Sequence, residues 1–295
     1  MKMTYILNPS AGNGKCGRRW EAFERNLKNS LGSDSYEVHC TSRPGEAKKF
    51  SNLAVLSGCK QIIVVGGDGT VNEVVNGVIG SDVSIGILPF GTGNDLARSL
   101  GIPKSDDQLL NLLCKPKELD LNVAHINERY FVMAAGLGFD GLVANYINSH
   151  FNIKKLGAFG YFCSALKILA TFKPFEVQVS VDGYPLQIFN TWMLATGNCP
   201  YYGGGMRLFP TAQCNDDLLD ICVVSNLEKL KFLQVFPTVY SGRHVELQQY
   251  ITMMRGKSIE IKTSESMVAH ADGELMITSA LRINVSEYRL RFLTT

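Results

Sequence analysis

The stretch richest in chemistry runs from Ile62 to Gly77 and reads IIVVGGDGTVNEVVNG. Gly66, Gly67, Asp68 and Gly69 make a turn with almost no side-chain bulk, and its backbone N–H groups can receive an anion such as phosphate. Asp68 repels a phosphate set directly against it, so its presence makes most sense with a cation between the two. A second turn, PFGTGNDLAR from Pro89 to Arg98, repeats the pattern, with Asp95 in the place of Asp68. Either aspartate alone reads as a helix-start residue favoured by the helix dipole. Two in matching positions read better as a shared metal and phosphate site. Other acidic positions carry less. Asp120, between Leu119 and Leu121, can simply be an outward residue of a strand. Asn215, Asp216, Asp217 and Asp220 suit a hard cation and equally suit a turn. Asp272 and Glu274 flank a glycine in HADGE, and Asp-Gly between strands is in the first place a hairpin.

Local signals supply elements to position these groups. Ile62 to Val65 is a short apolar run of the kind buried in a parallel sheet. Thr70 and Glu73 have capping-box spacing, and Val71, Val74, Val75, Val78 and Ile79 form one apolar helical stripe. Thr4 to Leu7 reads as a first strand, followed by NPSAGNGK and a helix marked by Trp20, Phe23, Leu27 and Leu31. That loop fails as a Walker loop, because Pro9 replaces the leading glycine and Cys16 the magnesium-binding Ser or Thr. A nucleotide against Asn8 to Gly14 and a plain turn remain equally open. Strands at Tyr36–Thr41 and Val83–Leu88, helices at Glu46–Gly58 and Asp106–Cys114, and a strand at Lys117–Ala124 complete this half. Two strand–glycine–helix units point to backbone amides at the carboxyl edge of a parallel sheet.

Beyond Asn127-Glu128 the pattern turns to β. Strands are expected at Tyr130–Ala135, Val177–Val181, Asn190–Thr196, Leu218–Val224, Ser258–Lys262, Leu281–Val285 and Tyr288–Leu293, with Asp182-Gly183 as a hairpin turn. Helices are expected near Gly141–Asn148, Ala158–Phe172 and Glu228–Tyr240. GLGFDGLV, from Gly136 to Val143, is another glycine turn entering a helix. CPYYGGGMRLFP, from Cys199 to Pro210, carries three consecutive glycines, a costly freedom unless something approaches closely or the loop moves. Phe151, Phe159, Phe162 and Phe172 mix with Lys154, Lys155, Lys167 and Lys173. The mixture suits a membrane-surface element, and better a helix packing Phe162, Leu166, Leu169 and Phe172 onto a sheet.

Length and composition set the frame. A chain of 295 residues suggests two domains of roughly 150 residues each. Hydrophobic content of 45% and charged content of 19% allow a sizeable core, and a net charge of +2 is too small to argue for nucleic acid. Eight scattered cysteines without a C-x-x-C pair argue against a zinc site or disulfide framework. The N-terminus lacks a signal-peptide core, and no run reaches the roughly 18 apolar residues of a membrane span. These features lead us to expect a cytoplasmic protein.

Taken in order and at their spacings, GGDGTVNEVVNG, PFGTGNDLAR, GLGFDG, YYGGG and the late DGE resemble the diacylglycerol kinase catalytic-domain family. The likeness is to its soluble bacterial lipid kinases, relatives of sphingosine and ceramide kinases, and it covers essentially the whole chain. GGDGT alone is shared with NAD kinases and phosphofructokinases, whereas TVNEVVNG followed by GTGNDLAR is far more specific. The resemblance implies an α/β nucleotide domain like that of NAD kinase and phosphofructokinase over residues 1–124, completed by residues 286–295. It also implies a β-sandwich lipid-substrate domain over 125–285 and an active site in the cleft between the domains. ATP is then expected at Asn8, Pro9, Ser10, Ala11 and Gly12, at Thr41, at Gly66, Gly67, Asp68, Gly69, Thr70, Val71 and Asn72, and at Thr92. Asp68, Asp95 and Asp120 are expected to hold a catalytic magnesium ion, partly through water. Asp272 matches the family's general base, with Glu274 as the other candidate. A structural magnesium site maps to Gln213, Asp216 and Leu218, largely through backbone carbonyls at the first and last. There the chain departs from the family, with Gln213 where relatives often have a basic residue and Asp217 where they often have glycine.

The function these features imply is transfer of the γ-phosphate of ATP to a lipid hydroxyl at a membrane surface, foremost diacylglycerol. Phosphatidylglycerol and sphingoid bases are alternative acceptors, and a homodimer is compatible with the reading. The rivals are an NAD-kinase-like enzyme and a non-catalytic lipid- or nucleotide-binding regulator. A dehydrogenase is disfavoured, since the first turn lacks G-x-G-x-x-G.

Overall fold

The computed structural model describes residues 3–32, 35–127, 129–150, 153 and 158–295. The chain forms two compact units, Met1–Val123 with Glu287–Thr295, and Ala124–Ser286. It passes from one to the other within strand β5 (Lys117–Ile126) and again within β13 (Glu274–Thr294).

The first unit is built on β1 (Met3–Leu7), β2 (Tyr36–Cys40), β3 (Gln61–Gly66), β4 (Ser84–Pro89) and the last part of β13. They lie parallel in the order β2-β1-β3-β4-β13. Ile62, Ile63, Val64 and Val65 are all fully buried, as a central parallel strand covered on both faces requires. Each such side chain contributes about 1.5–3 kcal/mol of apolar burial. The flanking helices are α1 (Lys15–Leu31), α2 (Glu46–Leu56), α3 (Asp68–Val78), α4 (Asp95–Ser99) and α5 (Asp106–Cys114). Val71, Val74, Val75 and Val78 form the buried stripe of α3. Helices α2 and α3 meet at Gly77, where a Cβ would stand 2.5 Å from the Lys48 carbonyl oxygen.

One expected detail is overturned. Thr70 and Glu73 do not form a capping box, because α3 begins at Asp68 with Gly67 as its uncapped N-cap. Thr70 therefore lies inside the first turn, and its hydroxyl accepts a bond from Asn8 Nδ2 at 3.0 Å. Glu73 Oε2 instead accepts the Ala47 N–H at 3.0 Å, fastening α3 to the start of α2.

The second unit contains β6 (Arg129–Phe131), β7 (Ala134–Gly138), α6 (Phe139–Ser149), α7 (Ala158–Thr171), β8 (Phe175–Val181) and β9 (Gln187–Gly197). After these come β10 (Leu219–Ser225), α8 (Lys229–Val235), α9 (Thr238–Ser241), β11 (Ile251–Gly256) and β12 (Ser258–Ala271). The sheet is antiparallel, running β11-β10-β9-β7-β12-β13. Strands β9 and β12 each pair with β7 along one half and with β8 along the other, so these four strands close a cycle of pairings. Alternation fills both faces. Leu137, Leu194, Ile221, Val223, Ile259 and Ile261 share one core, and Phe139, Phe172, Trp192 and Phe232 stack in another.

Several boundaries differ from those expected. Leu281–Val285 and Tyr288–Leu293 are one strand, β13, because the backbone stays extended through Ser286-Glu287 instead of turning there. β11 carries too little apolar alternation to stand out in the sequence. The helix expected at Glu228–Tyr240 splits into α8 and α9 at Pro237, which has no N–H to continue the first. Leu169 on α7 and Phe172 just after it are buried, while Leu166 is exposed. Phe151, Lys154 and Lys155 lie outside the described residues, as do the side chains of Phe159 and Phe162. No helix among the described residues is long and apolar enough to cross a membrane.

Candidate functional site

In the first unit, most residues expected at ATP follow the carboxyl ends of parallel strands. Asn8 to Gly12 follow β1, Thr41 follows β2, Gly66 to Asn72 lie at the end of β3, and Thr92 follows β4. This is the edge where open α/β sheets bind their ligands. The loop after β1 is an Asx turn, with Asn8 Oδ1 accepting the Ser10 N–H at 3.2 Å. Gly12 has a left-handed φ of 59°, and a Cβ there would lie 2.9 Å from the Phe90 carbonyl oxygen. Thr41 is buried, its N–H donated to Leu7 O at 2.8 Å.

The two glycine turns pack backbone against backbone. A Cβ on Gly91 would stand 2.4 Å from Gly67 Cα, and the Gly91 N–H donates to Gly66 O at 2.9 Å. Asn94, which sequence reasoning passed over, holds the second turn. Its Nδ2 donates to Pro89 O and Gly91 O, and its Oδ1 accepts the Gly91 N–H. Asp68 ties the turns together, Oδ1 accepting the Leu96 N–H at 3.2 Å. A Cβ on Gly93 would lie 2.7 Å from Asp68 Oδ2 and 3.9 Å from Asp95 Oδ2, so both carboxylates border the space that glycine leaves. Arg98 pairs with Asp95 and donates to Gly93 O. Such a recess suits magnesium, which keeps several waters and takes one or two carboxylates plus phosphate oxygens, with Asp68 Oδ2 nearest the recess and Asp95 shared with Arg98. Asp120 stands apart in its bonding, half exposed and paired with Arg291 at 3.2 Å. Among the described residues, no three His, Cys, Asp or Glu side chains are close enough to hold one ion.

In the second unit, Asp272 and Gly273 form the β12–β13 turn, with φ of 46° and 86°. The carboxylate turns back into the fold. Its Oδ1 accepts the Met133 and Ala134 N–H groups at 3.1 and 2.9 Å, and Oδ2 accepts the Val132 N–H at 2.9 Å. The group is thus held in one orientation by the β6–β7 connection. Glu274 is exposed and lies 3.8 Å from Arg129.

At the expected structural metal site, the Asp216 carboxylate is engaged by the chain's own donors. Asp216 Oδ1 accepts the Leu218 N–H at 3.1 Å, and Oδ2 pairs with Arg255 on β11. Arg255 also reaches buried Asp220 at 3.2 Å, which takes the Thr211 hydroxyl at 3.0 Å. Burial pushes the Asp220 carboxyl up, and Thr211 and Arg255 pull it down. Gln213 is exposed. A guanidinium already supplies positive charge here. Arg255→Ala should cost about 1–3 kcal/mol, toward the low end because Arg255 is itself 40% exposed. Thermal melts should show magnesium raising the melting temperature of this variant by more than that of the parent protein. A parent that gains as much from magnesium would overturn the assignment.

Residues 2–126 match the diacylglycerol kinase catalytic domain, and residues 133–294 match the YegS C-terminal NAD kinase beta sandwich-like domain. A diacylglycerol kinase of Mycobacterium tuberculosis is 30% identical over 283 residues, covering 92% of this chain and 88% of that protein. One from Bacillus subtilis is 30% identical over 281 residues, covering 91% and 88%. Among solved structures, a diacylglycerol kinase from Bacillus anthracis superposes with a TM-score of 0.76 at 25% identity, covering 100% of this chain and 97% of that one. An NAD kinase from Archaeoglobus fulgidus, solved with ATP, shares the fold at a TM-score of 0.52 and 13% identity.

Proposed function

The chain belongs to the diacylglycerol kinase family and is a lipid kinase, and we propose that it transfers the γ-phosphate of ATP to the hydroxyl of diacylglycerol at a membrane surface, giving phosphatidic acid. The observation that carries the nucleotide half is the pair of glycine turns packed backbone to backbone and tied by Asp68 at a sheet's carboxyl edge. Asn8 to Gly12, Gly66 to Asn72 and Thr92 would hold the triphosphate, with Thr41 beside them. Asp68 and Asp95 would hold magnesium, which when bound offsets charge on the phosphate oxygens. Phosphoryl transfer asks mainly for such positioning and electrostatic stabilisation.

The acceptor hydroxyl must lose its proton as its oxygen attacks phosphorus, and Asp272 is the group we assign to receive it. Its backbone clasp fixes the carboxylate, whereas Glu274 is exposed beside Arg129 at 3.8 Å, which favours Asp272 for a task that depends on orientation. Titration calorimetry tests the nucleotide half. ATP should bind the parent protein more tightly with magnesium than without, and Asp68→Asn should lose about tenfold or more of that gain. Equal affinity with and without magnesium in the parent protein would contradict this site.

A further inference from the structure

Three segments that the sequence marks separately each send one polar side chain into a single cluster of the second unit. GLGFDG supplies Asp140, YYGGG supplies Tyr202, and HADGE supplies His270. His270 is 1% exposed and the Asp140 side chain 8%. The His270 Nε2 lies 3.0 Å from Asp140 Oδ2 and 2.8 Å from the Tyr202 hydroxyl oxygen. The Tyr202 ring and the imidazole are nearly parallel, with planes 2° apart and centroids 5.4 Å apart, and they meet edge to edge through the hydroxyl.

The hydrogen-bond chemistry of this cluster is specific. An ionised carboxylate only accepts, so Nε2 must carry the hydrogen that faces Asp140. A hydroxyl oxygen beside that nitrogen can accept from the same N–H and donate its own hydrogen. An alcohol is therefore the group that complements this imidazole–carboxylate pair, and the Tyr202 phenol is the alcohol the chain itself provides. The opposite ring nitrogen, Nδ1, is buried with no partner among the described residues, so nothing there offsets the loss of a bond at Nε2.

Space and mobility are arranged around the same point. Position 136 must be glycine, since a Cβ would stand 2.4 Å from Asp140 Oδ2 and 3.3 Å from His270 Nε2. The three residues after Tyr202, Gly203, Gly204 and Gly205, all have left-handed φ, at 65°, 85° and 104°. Tyr202 and Met206 close this turn by reciprocal backbone bonds of 2.9 and 3.1 Å. Few backbones change course as readily as three successive glycines. On β12, His270 precedes Asp272 by two residues, so the cluster and the carboxylate assigned as proton acceptor share one strand end.

We propose that Asp140 and His270 form the seat for the hydroxyl of the acceptor lipid, and that the Tyr202 hydroxyl occupies this seat until the lipid displaces it by turning the glycine loop. The proposal rests on the lipid-kinase reading and names the residues that recognise the acceptor. It has an unusual consequence. Tyr202 competes with the acceptor, so removing only its hydroxyl strengthens acceptor binding, by the same logic that any pre-emptive occupancy lowers apparent affinity.

The test uses the full-length protein and dioctanoylglycerol as a soluble acceptor, with two readouts. Steady-state transfer from ATP gives KM for acceptor and nucleotide separately, and calorimetry without nucleotide gives acceptor binding directly. Tyr202→Phe should lower the acceptor KM and dissociation constant about threefold or more, the value of one net hydrogen bond. Asp140→Asn and His270→Phe should raise both about tenfold or more, with the ATP KM unchanged. A cluster that merely holds the fold would give weaker binding, or none of these changes, in Tyr202→Phe, and that result would overturn the seat. His270→Gln keeps an N–H donor and should recover part of the loss even if His270→Phe folds poorly. Acceptor binding that depends on Asp140 without phosphate transfer would sink the kinase reading and keep the seat. Transfer with acceptor constants indifferent to Asp140 and His270 would do the reverse. Neither binding nor transfer in the parent protein would overturn both.

Discussion

Asp272→Asn should lower turnover at least about a hundredfold while leaving ATP affinity nearly unchanged. An amide cannot take a proton from an attacking alcohol, so the loss belongs to the chemical step. The structure adds a second consequence. The Asp272 carboxylate accepts three backbone N–H groups through its two oxygens, and an asparagine has only one oxygen to offer them. If that oxygen faces Met133 and Ala134, the amide NH2 meets the Val132 N–H, and an unsatisfied buried donor costs about 1–3 kcal/mol. The variant should therefore melt earlier as well as turn over slowly. Turnover measured well below the melting transition separates the two effects. Glu274→Gln, at an exposed side chain, should change little. Turnover like that of the parent protein in Asp272→Asn would remove Asp272 from the role.

Gly91→Ala should weaken nucleotide binding, raising the ATP dissociation constant about tenfold or more, and should also destabilise the first unit. The added Cβ would lie 2.4 Å from Gly67 Cα and 2.9 Å from Gly67 N. Both neighbours are backbone atoms that cannot swing aside. The turns must separate, breaking the Gly91–Gly66 bond and straining Asp68's hold on the start of α4. Overpacking of this kind costs about 1–3 kcal/mol. Gly69→Ala is the informative contrast. Nothing lies within 4 Å of a Cβ there, and position 69 is helical, so alanine should stabilise α3 by up to about 1 kcal/mol. If phosphate occupies that open space, Gly69→Ala should melt no earlier than the parent protein and still bind ATP more weakly. Unchanged affinity in both alanine variants would show that the glycine turns do not hold the nucleotide.

What could be read from the sequence depended on how local its physics was. The parallel strands of the first unit were legible because four consecutive apolar residues at Ile62 to Val65 have few other destinations. The stripe from Val71 to Val78 was legible for the same reason. The Thr70–Glu73 spacing misled, because Asp68 and Gly69 already have helical backbone and tertiary partners, Asn8 and Ala47, claim both side chains. Arg255 could not be foreseen, since its meeting with Asp216 and Asp220 depends on β11 pairing with β10 across a long separation. Asn94 was inconspicuous because its task is to hold a turn. Asp140 and His270 were both inside motifs already singled out, GLGFDG and HADGE. Only the pairing of β7 with β12, His270 opposite Gly136, brings those motifs together.

The most direct test is transfer of labelled γ-phosphate from ATP, with and without magnesium, onto separate samples of diacylglycerol, phosphatidylglycerol, a sphingoid base and NAD. The account predicts label in phosphatidic acid, dependent on magnesium, and none in NAD. Label on phosphatidylglycerol or the sphingoid base alone would keep a lipid kinase with a different acceptor. Phosphorylated NAD with every lipid unlabelled would contradict the account.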